Sequence, residues 1–229
     1  RERERMHDIF GRFVSPTVAR LVLSRPLALS GEAKMLSILF TDLRDFTAMT
    51  ERDDPAQVIG GLNDYFRIVV EAADRYGGIV NKFGGDSTLV LFGLADEQSN
   101  AQASAEAAVR AALAIRAGMA LLNHRRAAER LPELIAGIGI NTGTVIAGLI
   151  GAERRMEYTV IGDAVNLSAR IQALNRELGD GILISDATYA ALGQPHGLEF
   201  FDHGVHHVKG KRYGVGIYAI VSQEAVYAN

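Results

Sequence analysis

A pair of adjacent glycines, Gly84-Gly85, constrains the fold of this chain more than any other feature of its sequence. The pair lies between two apolar runs at residues 79–80 and 89–92, both with strand character. Two strands joined by adjacent glycines are typical of a tight β-hairpin, because glycine readily adopts the positive φ angles of such turns. The sequence therefore predicts a hairpin over 79–92, with Asp86 one residue past its turn.

An apolar run at residues 36–40 predicts a further strand, which precedes the hairpin in the chain. The run ends at a carboxylate, Asp42, and a polar loop follows it. Taken alone, Asp42 or Asp86 is interpreted as a turn-capping residue, which is common for an aspartate at a strand end. If both lie at the same end of one sheet, however, they form a hard oxygen site suited to Mg²⁺ or Mn²⁺.

The order of the predicted elements indicates the fold class. A helix begins at Asp53-Asp54-Pro55 and ends at Gly77-Gly78, between the first strand and the hairpin. An alanine-rich helix from about Ala101 to about Arg126 and an apolar strand at 134–140 follow the hairpin. Strand, helix, strand, strand, helix, strand is the split βαβ order, so we predict an α+β fold with a ferredoxin-like βαββαβ core.

The second half of the chain predicts additional strands and helices on this core. They are a hairpin through Asn141-Thr142-Gly143 into 145–150, a strand at 158–161, a helix from about Asp163 to Leu178, a strand at 182–184, a helix starting at Ser185-Asp186, and strands around 200–208 and 215–220. Residues 1–30 differ in composition, with alternating Arg and Glu at the start, and are interpreted as an N-terminal helical or signalling segment. Residues 31–229 are predicted to form one globular domain.

Composition argues against several classes of function. The net charge is −3 and the pI is about 6.1, whereas nucleic-acid-binding domains typically have a pI above about 9, so we expect no nucleic-acid partner. The absence of cysteine excludes disulfides, thiolate metal sites and a cysteine nucleophile. Three histidines near the end of the chain, His203, His206 and His207, are assigned to a loop or an edge strand rather than to a metal site.

The pattern of hydrophobicity predicts a cytoplasmic domain. No apolar run approaches the roughly 18 to 20 residues that span a bilayer, and no signal-peptide pattern is present. The first residue is Arg rather than Met, which suggests a piece of a longer protein. A sensor or membrane domain upstream would make this chain the cytosolic part of a membrane-anchored protein.

Four stretches in this chain resemble the motifs of one enzyme family. They are Phe40-Thr41-Asp42-Leu43-Arg44-Asp45-Phe46-Thr47, then Asn81-Lys82-Phe83-Gly84-Gly85-Asp86, then the segment from Glu157 to Arg170, and finally Val208-Lys209-Gly210-Lys211. In this order they are similar to the catalytic motifs of the class III nucleotidyl cyclases, and they cover nearly all of 35–220. The resemblance implies the class III nucleotidyl cyclase fold, with a catalytic domain at 31–229.

The resemblance also implies roles for the acidic residues and the loop between them. Asp42 and Asp86 match the two metal-binding aspartates of the family, which implies two Mg²⁺ or Mn²⁺ ions in each site. The backbone of the loop that follows Asp42 matches the family's triphosphate loop, made of Leu43, Arg44, Asp45, Phe46 and Thr47. Asp45 stands where glycine is frequent in the family, and we expect its side chain to turn outward.

Lys82 and Thr159 match the base-selecting pair of the family. Adenylyl cyclases have Lys with Asp or Thr at these positions, whereas guanylyl cyclases have Glu with Cys or a similar residue. Lys82 is a pure donor and suits adenine N1, which is an acceptor, while guanine N1 carries a proton. The Thr159 hydroxyl can accept from the adenine amino group but can also donate, so it selects less sharply than a carboxylate.

Asn166 and Arg170 match the residues that hold the ribose and the phosphate of the transition state. They are four residues apart and therefore share one face of the predicted helix. Lys209 matches the lysine that reaches the terminal phosphates, with Lys211 as the alternative. Thr144 stands where some relatives place a phosphate-binding arginine, and Gly84 replaces a bulky apolar residue.

The resemblance implies an adenylyl cyclase, which converts ATP to 3′,5′-cyclic AMP and pyrophosphate. Two metal ions would assist the in-line attack of the ribose 3′-hydroxyl on the α-phosphorus. In this family the metal-binding and base-reading residues of one site come from different subunits. Because this chain carries both sets, we expect a homodimer with two equivalent shared sites.

Two other interpretations stay open. Gly84-Gly85-Asp86 on a ferredoxin-like hairpin is also typical of diguanylate cyclases, although Ser87-Thr88 stand where that family has Glu-Phe. The segment from Thr159 to Arg170 would have no role in such an enzyme. The other interpretation is a catalytically silent nucleotide-binding or dimerisation module, against which the full set of metal, base and phosphate residues argues.

Overall fold

The computed structural model of the protein describes Ala19 and residues 31–95, 100–152, 155–193, 197–208 and 213–223. The predicted N-terminal segment at 1–30 therefore lies outside the described residues, apart from Ala19. Lys209 and Lys211 lie outside them as well.

Eight strands and five helices make up the part of the chain from residue 31 onward that the structure describes. The strands are β1 (Glu32–Leu43), β2 (Ile79–Gly84), β3 (Ser87–Phe92), β4 (Ala136–Ala152), β5 (Arg155–Ile161), β6 (Ile182–Ser185), β7 (Leu198–His206) and β8 (Val215–Gln223). The helices are α1 (Phe46–Arg52), α2 (Pro55–Arg75), α3 (Ala101–Ala128), α4 (Asp163–Leu178) and α5 (Asp186–Leu192).

The strands form one sheet in the order β2-β3-β1-β4-β6-β8-β7, and β5 pairs with β4 outside this path. The pairs among β2, β3, β1 and β4 are all antiparallel, which is the ferredoxin-like arrangement of the first four strands. β6 lies parallel to β4, and β8 and β7 extend the sheet beyond it. The predicted α+β fold with a ferredoxin-like core and additional elements is confirmed.

β1 is central because both of its faces are covered. Leu39 and Leu43 pack against the helices α2 and α3, together with Tyr65 and Phe92. Leu36 and the other residues that alternate with them pack in a second cluster, beside β4 and β5. A strand that is buried on both faces reads as a continuous apolar run rather than as an alternating one, which is why residues 36–40 were recognisable as a strand.

One predicted turn is wrong. Asn141-Thr142-Gly143 lie inside the long strand β4, where they pair with residues 36–38 of β1, and no hairpin turns there. Their polar side chains are buried because neighbours satisfy them: Thr142 Oγ1 lies 2.8 Å from Ser37 Oγ, and Ser185 Oγ donates to Asn141 Oδ1 over 2.8 Å. Side-chain partners from distant strands thus allow turn-forming residues to continue a strand.

The hairpin between β2 and β3 is confirmed, with a change of one residue in its turn. Gly84 pairs with Ser87, so the two residues of the turn are Gly85 and Asp86. Gly85 has a φ of +71°, which glycine adopts without strain. Asp86 therefore lies in the turn itself rather than one residue past it.

The predicted helices at 53–76 and 163–178 are confirmed with small changes at their ends. Asp54 caps α2 by accepting a hydrogen bond from the backbone N–H of Ala56 over 2.7 Å. α4 ends at Gly179, whose φ of +84° is the left-handed conformation common at this position. Within the described ranges, no helix is both long enough and apolar enough to cross a membrane.

Candidate active site

The two aspartates lie side by side at one end of the sheet. Asp42 is near the end of β1 and pairs with Ser87 of β3, so Asp86 in the preceding turn is its neighbour. The backbone N–H of Leu43 also donates to the Asp86 carbonyl over 3.4 Å. We call Asp42 and Asp86 the metal edge.

The metal edge carries two like charges at close range. Burial and the neighbouring charge of Asp86 raise the pKa of Asp42 to about 6, and Arg176 of α4 opposes this shift. No ion pair in the described part of the chain engages either carboxylate. This pair has the oxygen donors and the excess negative charge that suit a hard divalent cation. No cluster of three or more metal-binding side chains occurs among the described residues, so further donors would come from elsewhere, such as a bound triphosphate.

A buried tyrosine is hydrogen-bonded to the residue that precedes Asp42. Tyr65 of α2 is fully buried, and its hydroxyl donates to Thr41 Oγ1 over 3.2 Å. Burial raises the pKa of Tyr65, and the nearby charges of Asp42 and Asp86 raise it further. The phenol therefore stays neutral beneath the two carboxylates. The sequence alone did not indicate this role, because nothing in the local pattern shows what the Tyr65 hydroxyl contacts.

The predicted phosphate loop is shorter than the sequence suggested. The backbone N–H groups of Leu43 and Arg44 donate inside the protein, to Asp86 and to the Ile135 carbonyl. Helix α1 begins at Phe46, and its first intrahelical bond runs from the Met49 N–H to the Asp45 carbonyl. The N–H groups of the first turn lack intrahelical acceptors, so Phe46, Thr47 and also Ala48 offer donors to a ligand.

Asp45 joins β1 to α1 in a conformation that favours glycine. Its φ of +56° lies in the left-handed region, which aspartate and asparagine tolerate better than most residues. This explains why the position can hold Asp where glycine is common. The side chain is exposed, in agreement with the prediction that it turns outward.

The Arg44 side chain contacts the C-terminal end of helix α4. Its Nη2 donates to the Asn175 carbonyl, near the C-terminus of α4, over 2.6 Å. Its Nε is buried and has no hydrogen-bond partner among the described residues. The guanidinium therefore contacts α4, and neither it nor the backbone N–H of Arg44 faces the phosphate loop.

The structure brings Lys82 of β2 and Thr159 of β5 into one cluster, although these strands do not pair. The Thr159 hydroxyl donates to Asn81 Oδ1 over 3.0 Å, and Asn81 Nδ2 donates to the Tyr158 carbonyl over 3.0 Å. Lys82 Nζ lies 3.4 Å from Glu157 Oε1. We call Asn81, Lys82, Glu157 and Thr159 the base-reading face. Asn81 and Glu157 belong to the recognised motifs, but the sequence indicated no role for either.

The helix α4 presents Asn166 and Arg170 one turn apart. Asn166 is exposed, and Arg170 is half-buried with an Nη1 that has no hydrogen-bond partner in the described part of the chain. α4 lies directly on β4, because a Cβ atom at Gly139 would be only 2.2 Å from the backbone nitrogen of Gln172. The sheet thus fixes the position of the helix that carries both residues.

Thr144 of β4 is exposed on the wall of a cleft of about 550 Å³. Asp163 and Asp186 line the same cleft, together with Tyr213, which follows Lys209 by four residues in the chain. Among the described residues that line this cleft, none is cationic.

The metal edge and the predicted site residues on β2, β5 and α4 form separate groups in the described part of the chain. In the ranges that the structure describes, no hydrogen bond or ion pair joins Asp42 or Asp86 to Lys82, Thr159, Asn166 or Arg170. The two sets are each organised, but separately.

A ferredoxin-like sheet with paired aspartates at one strand end, and with basic and amide side chains on a neighbouring strand and helix, defines a class of nucleotide cyclase. The chain belongs to the family described as the adenylate and guanylate cyclase catalytic domain, whose family model matches residues 30–222.

Solved structures and curated proteins are similar to this chain. The adenylyl cyclase CyaB from P. aeruginosa is 34% identical, with a TM-score of 0.77 over 85% of this chain and 97% of that one. The guanylyl cyclase Cya2 is 33% identical, with a TM-score of 0.76 over 87% of this chain and 98% of that one. The uncharacterised protein Rv1319c of Mycobacterium tuberculosis is 36% identical over 194 residues, which are 85% of this chain and 34% of that protein. The chain thus spans about a third of the length of the curated relatives that it matches.

Proposed function

We propose that this domain converts ATP to 3′,5′-cyclic AMP and pyrophosphate. The observation that carries this proposal is the proximity of Lys82 and Thr159 at the base-reading face, where Lys82 pairs with Glu157 and Thr159 is hydrogen-bonded to Asn81. Lysine donates to adenine N1, and a threonine oxygen accepts from the adenine amino group. Guanine carries a proton at N1, so at that position it presents a donor to the Lys82 donor.

The remaining residues act on the triphosphate and the ribose. Asp42 and Asp86 would hold two Mg²⁺ or Mn²⁺ ions, which when bound neutralise the phosphates and acidify the ribose 3′-hydroxyl. The first-turn N–H groups of α1 would bind phosphate oxygens. Arg170, with its unpartnered Nη1, would stabilise the charge that develops on the α-phosphate, and Asn166 would orient the ribose. Lys209 remains the proposed contact of the terminal phosphates.

The active form proposed here is an isologous homodimer, in which each site takes its metal edge from one subunit and its base-reading face, together with Asn166 and Arg170 of α4, from the other. Met35, Ile146, Ile150 and Ile161 are large apolar residues, each at least 40% exposed. By the strand register they share one face of the sheet with Thr159, which pairs with Gly148. An exposed apolar face that surrounds a base-reading residue suits burial against a second copy.

The defining experiment compares the products that the purified protein makes from ATP and from GTP, with Mg²⁺ and with Mn²⁺. The proposal expects cyclic AMP from ATP and much less cyclic GMP from GTP. A cyclic dinucleotide from GTP would instead identify a diguanylate cyclase, and nucleotide binding without turnover in either metal would identify a silent module.

A further inference from the structure

Asn81 has only one possible orientation. Its side-chain amide lies between the backbone carbonyl of Tyr158 and the hydroxyl of Thr159, at 3.0 Å from each. A backbone carbonyl can only accept a hydrogen bond, so the NH₂ group of Asn81 must face Tyr158. The Oδ1 atom of Asn81 therefore faces Thr159.

This orientation fixes the proton of the Thr159 hydroxyl. Oδ1 of Asn81 has no hydrogen and can only accept, so the Thr159 hydroxyl must donate to it. Thr159 is 6% exposed, which keeps water from competing for that proton. A hydroxyl that has donated its only hydrogen retains lone pairs alone, so toward any further ligand Thr159 acts as an acceptor.

An acceptor-only Thr159 behaves toward a base as a carboxylate would. It can accept from the amino group of adenine, but it meets the O6 atom of guanine lone pair to lone pair. Threonine in water rotates its hydroxyl and serves both bases, so the selectivity depends on the residue that holds the proton.

We propose that Asn81 is a specificity-determining positioning residue, which excludes GTP by holding the Thr159 hydroxyl in the donor orientation toward itself. This inference rests on the proposed function, because it concerns the base that the same site accepts. Asn81 acts through Thr159 and does not touch the nucleotide.

Two substitutions of Asn81 test the inference, because both remove its contact to Tyr158 but only one removes its contact to Thr159. Asn81→Asp and Asn81→Leu both lose the hydrogen bond to the Tyr158 carbonyl. Asn81→Asp keeps an oxygen acceptor for the Thr159 hydroxyl, whereas Asn81→Leu does not. The readout is the ratio of kcat/KM for ATP to that for GTP, measured from cyclic AMP and cyclic GMP formed by the full chain.

We expect Asn81→Leu to lower the ATP-to-GTP ratio about tenfold, since one mismatched hydrogen bond changes discrimination by about this factor. Asn81→Asp should keep the ratio within about threefold of the wild type. In a Thr159→Val background, which lacks the hydroxyl, Asn81→Leu should leave the ratio unchanged.

Other outcomes overturn the inference. An equal fall of the ratio in Asn81→Asp and Asn81→Leu would assign the effect to the lost Tyr158 contact, and a fall that persists beside Thr159→Val would exclude a role through the hydroxyl. An unchanged ratio in Asn81→Leu, with a wild type that prefers ATP, would refute this inference alone. A wild type that prefers GTP would refute the proposed function instead.

Discussion

The metal edge and the base-reading face are built in opposite ways. At the metal edge, backbone pairing of β1 with β3 brings two carboxylates together, and their repulsion and burial raise the pKa of Asp42 to about 6. At the base-reading face, β2 is connected with β5, which is not its neighbour in the sheet, by three contacts: a hydrogen bond between side chains, a hydrogen bond from a side chain to a backbone carbonyl, and an ion pair.

The difference concerns what each region lacks before a nucleotide binds. The metal edge has unfavourable electrostatics that added positive charge would relieve, so it is incomplete by itself. The polar groups of the base-reading face are already hydrogen-bonded and oriented. This lowers the entropic cost of ordering these side chains when a ligand binds. Under the proposed function, selectivity would be organised by the fold, whereas catalytic charge would be supplied by ions and by a second subunit.

The largest expected effect comes from combining two variants, each of which damages the part of the site that a different subunit supplies. Asp42→Ala and Asn166→Ala should each reduce activity by about 10²-fold or more, because each damages every site of a homodimer. Mixed and allowed to exchange, the two variants should recover up to about a quarter of wild-type activity, since half of the dimers would contain one intact site. The measurement is cyclic AMP formation before and after mixing.

The matched control mixes Asp42→Ala with Asp86→Ala. Both substitutions damage the metal edge, so their heterodimer has no intact site and should stay inactive. Recovery in that mixture, or no recovery in the first one although heterodimers form, would contradict the shared site.

A smaller effect is expected from reversing the polarity of the base-reading face. Lys82→Glu combined with Thr159→Cys exchanges the donor for a carboxylate that suits guanine N1–H. The ATP-to-GTP ratio of kcat/KM should fall by about 10- to 100-fold, at roughly 1 to 3 kcal/mol for the reversed contacts. Selectivity for ATP that survives the double substitution would remove both residues from the base pocket.

The electrostatics of the metal edge predict a dependence of stability on pH. The pKa of Asp42 is raised from 3.8 to about 6 in the folded protein, so the folded state binds this proton more tightly than the unfolded chain. Without divalent ions, this carboxyl should stabilise the fold at low pH and lose that contribution as the pH rises from about 4 through about 6.

The variant Asp42→Asn isolates this contribution from that of other acids. Near neutral pH in a chelator, it should melt a few degrees above the wild type, because it removes the buried charge and its repulsion from Asp86. Added Mn²⁺ should raise the melting temperature of the wild type more than that of the variant. Parallel pH profiles of stability in the two proteins would contradict the assignment.

The smallest effect is expected at the loop between β1 and α1. Asp45 has a φ of +56°, which costs roughly 1 kcal/mol for a residue with a side chain. Asp45→Gly should relieve this strain and change the free energy of unfolding by less than about 1 kcal/mol, because glycine also gains entropy in the unfolded chain. It should lower the KM for ATP, since it removes a negative charge beside the phosphate donors. Asp45→Ala, which keeps the strain, should destabilise the loop relative to Asp45→Gly.

The sequence predicted the order of the core elements and the strand-end positions of Asp42 and Asp86 well, because both depend on local patterns. An apolar run that stops at Asp42 and a hairpin around Gly85 can be read from neighbouring residues alone. The mistaken turn at Asn141-Thr142-Gly143 had a different origin. The partners that bury those side chains, Ser37 and Ser185, lie far away in the chain, and no local pattern indicates them.

The same limit applies to the base-reading face. Lys82 and Thr159 were found through a family resemblance, but the role of Asn81 follows only from its two hydrogen bonds. Likewise, the sequence places Arg44 in a phosphate loop, and only the fold attaches its guanidinium to α4. Hydrogen bonds that side chains make to distant, unpaired elements decide these details.

Gly139 has a consequence for any attempt to redesign this enzyme. The helix that carries Asn166 and Arg170 packs directly against the backbone of Gly139. Its distance from the strand is this short because glycine has no side chain. Even one added methyl group at Gly139 would clash with the backbone of Gln172 and Ser168 and push the helix away from the strand. A substitution at Gly139 would therefore displace Asn166 and Arg170 together relative to the sheet.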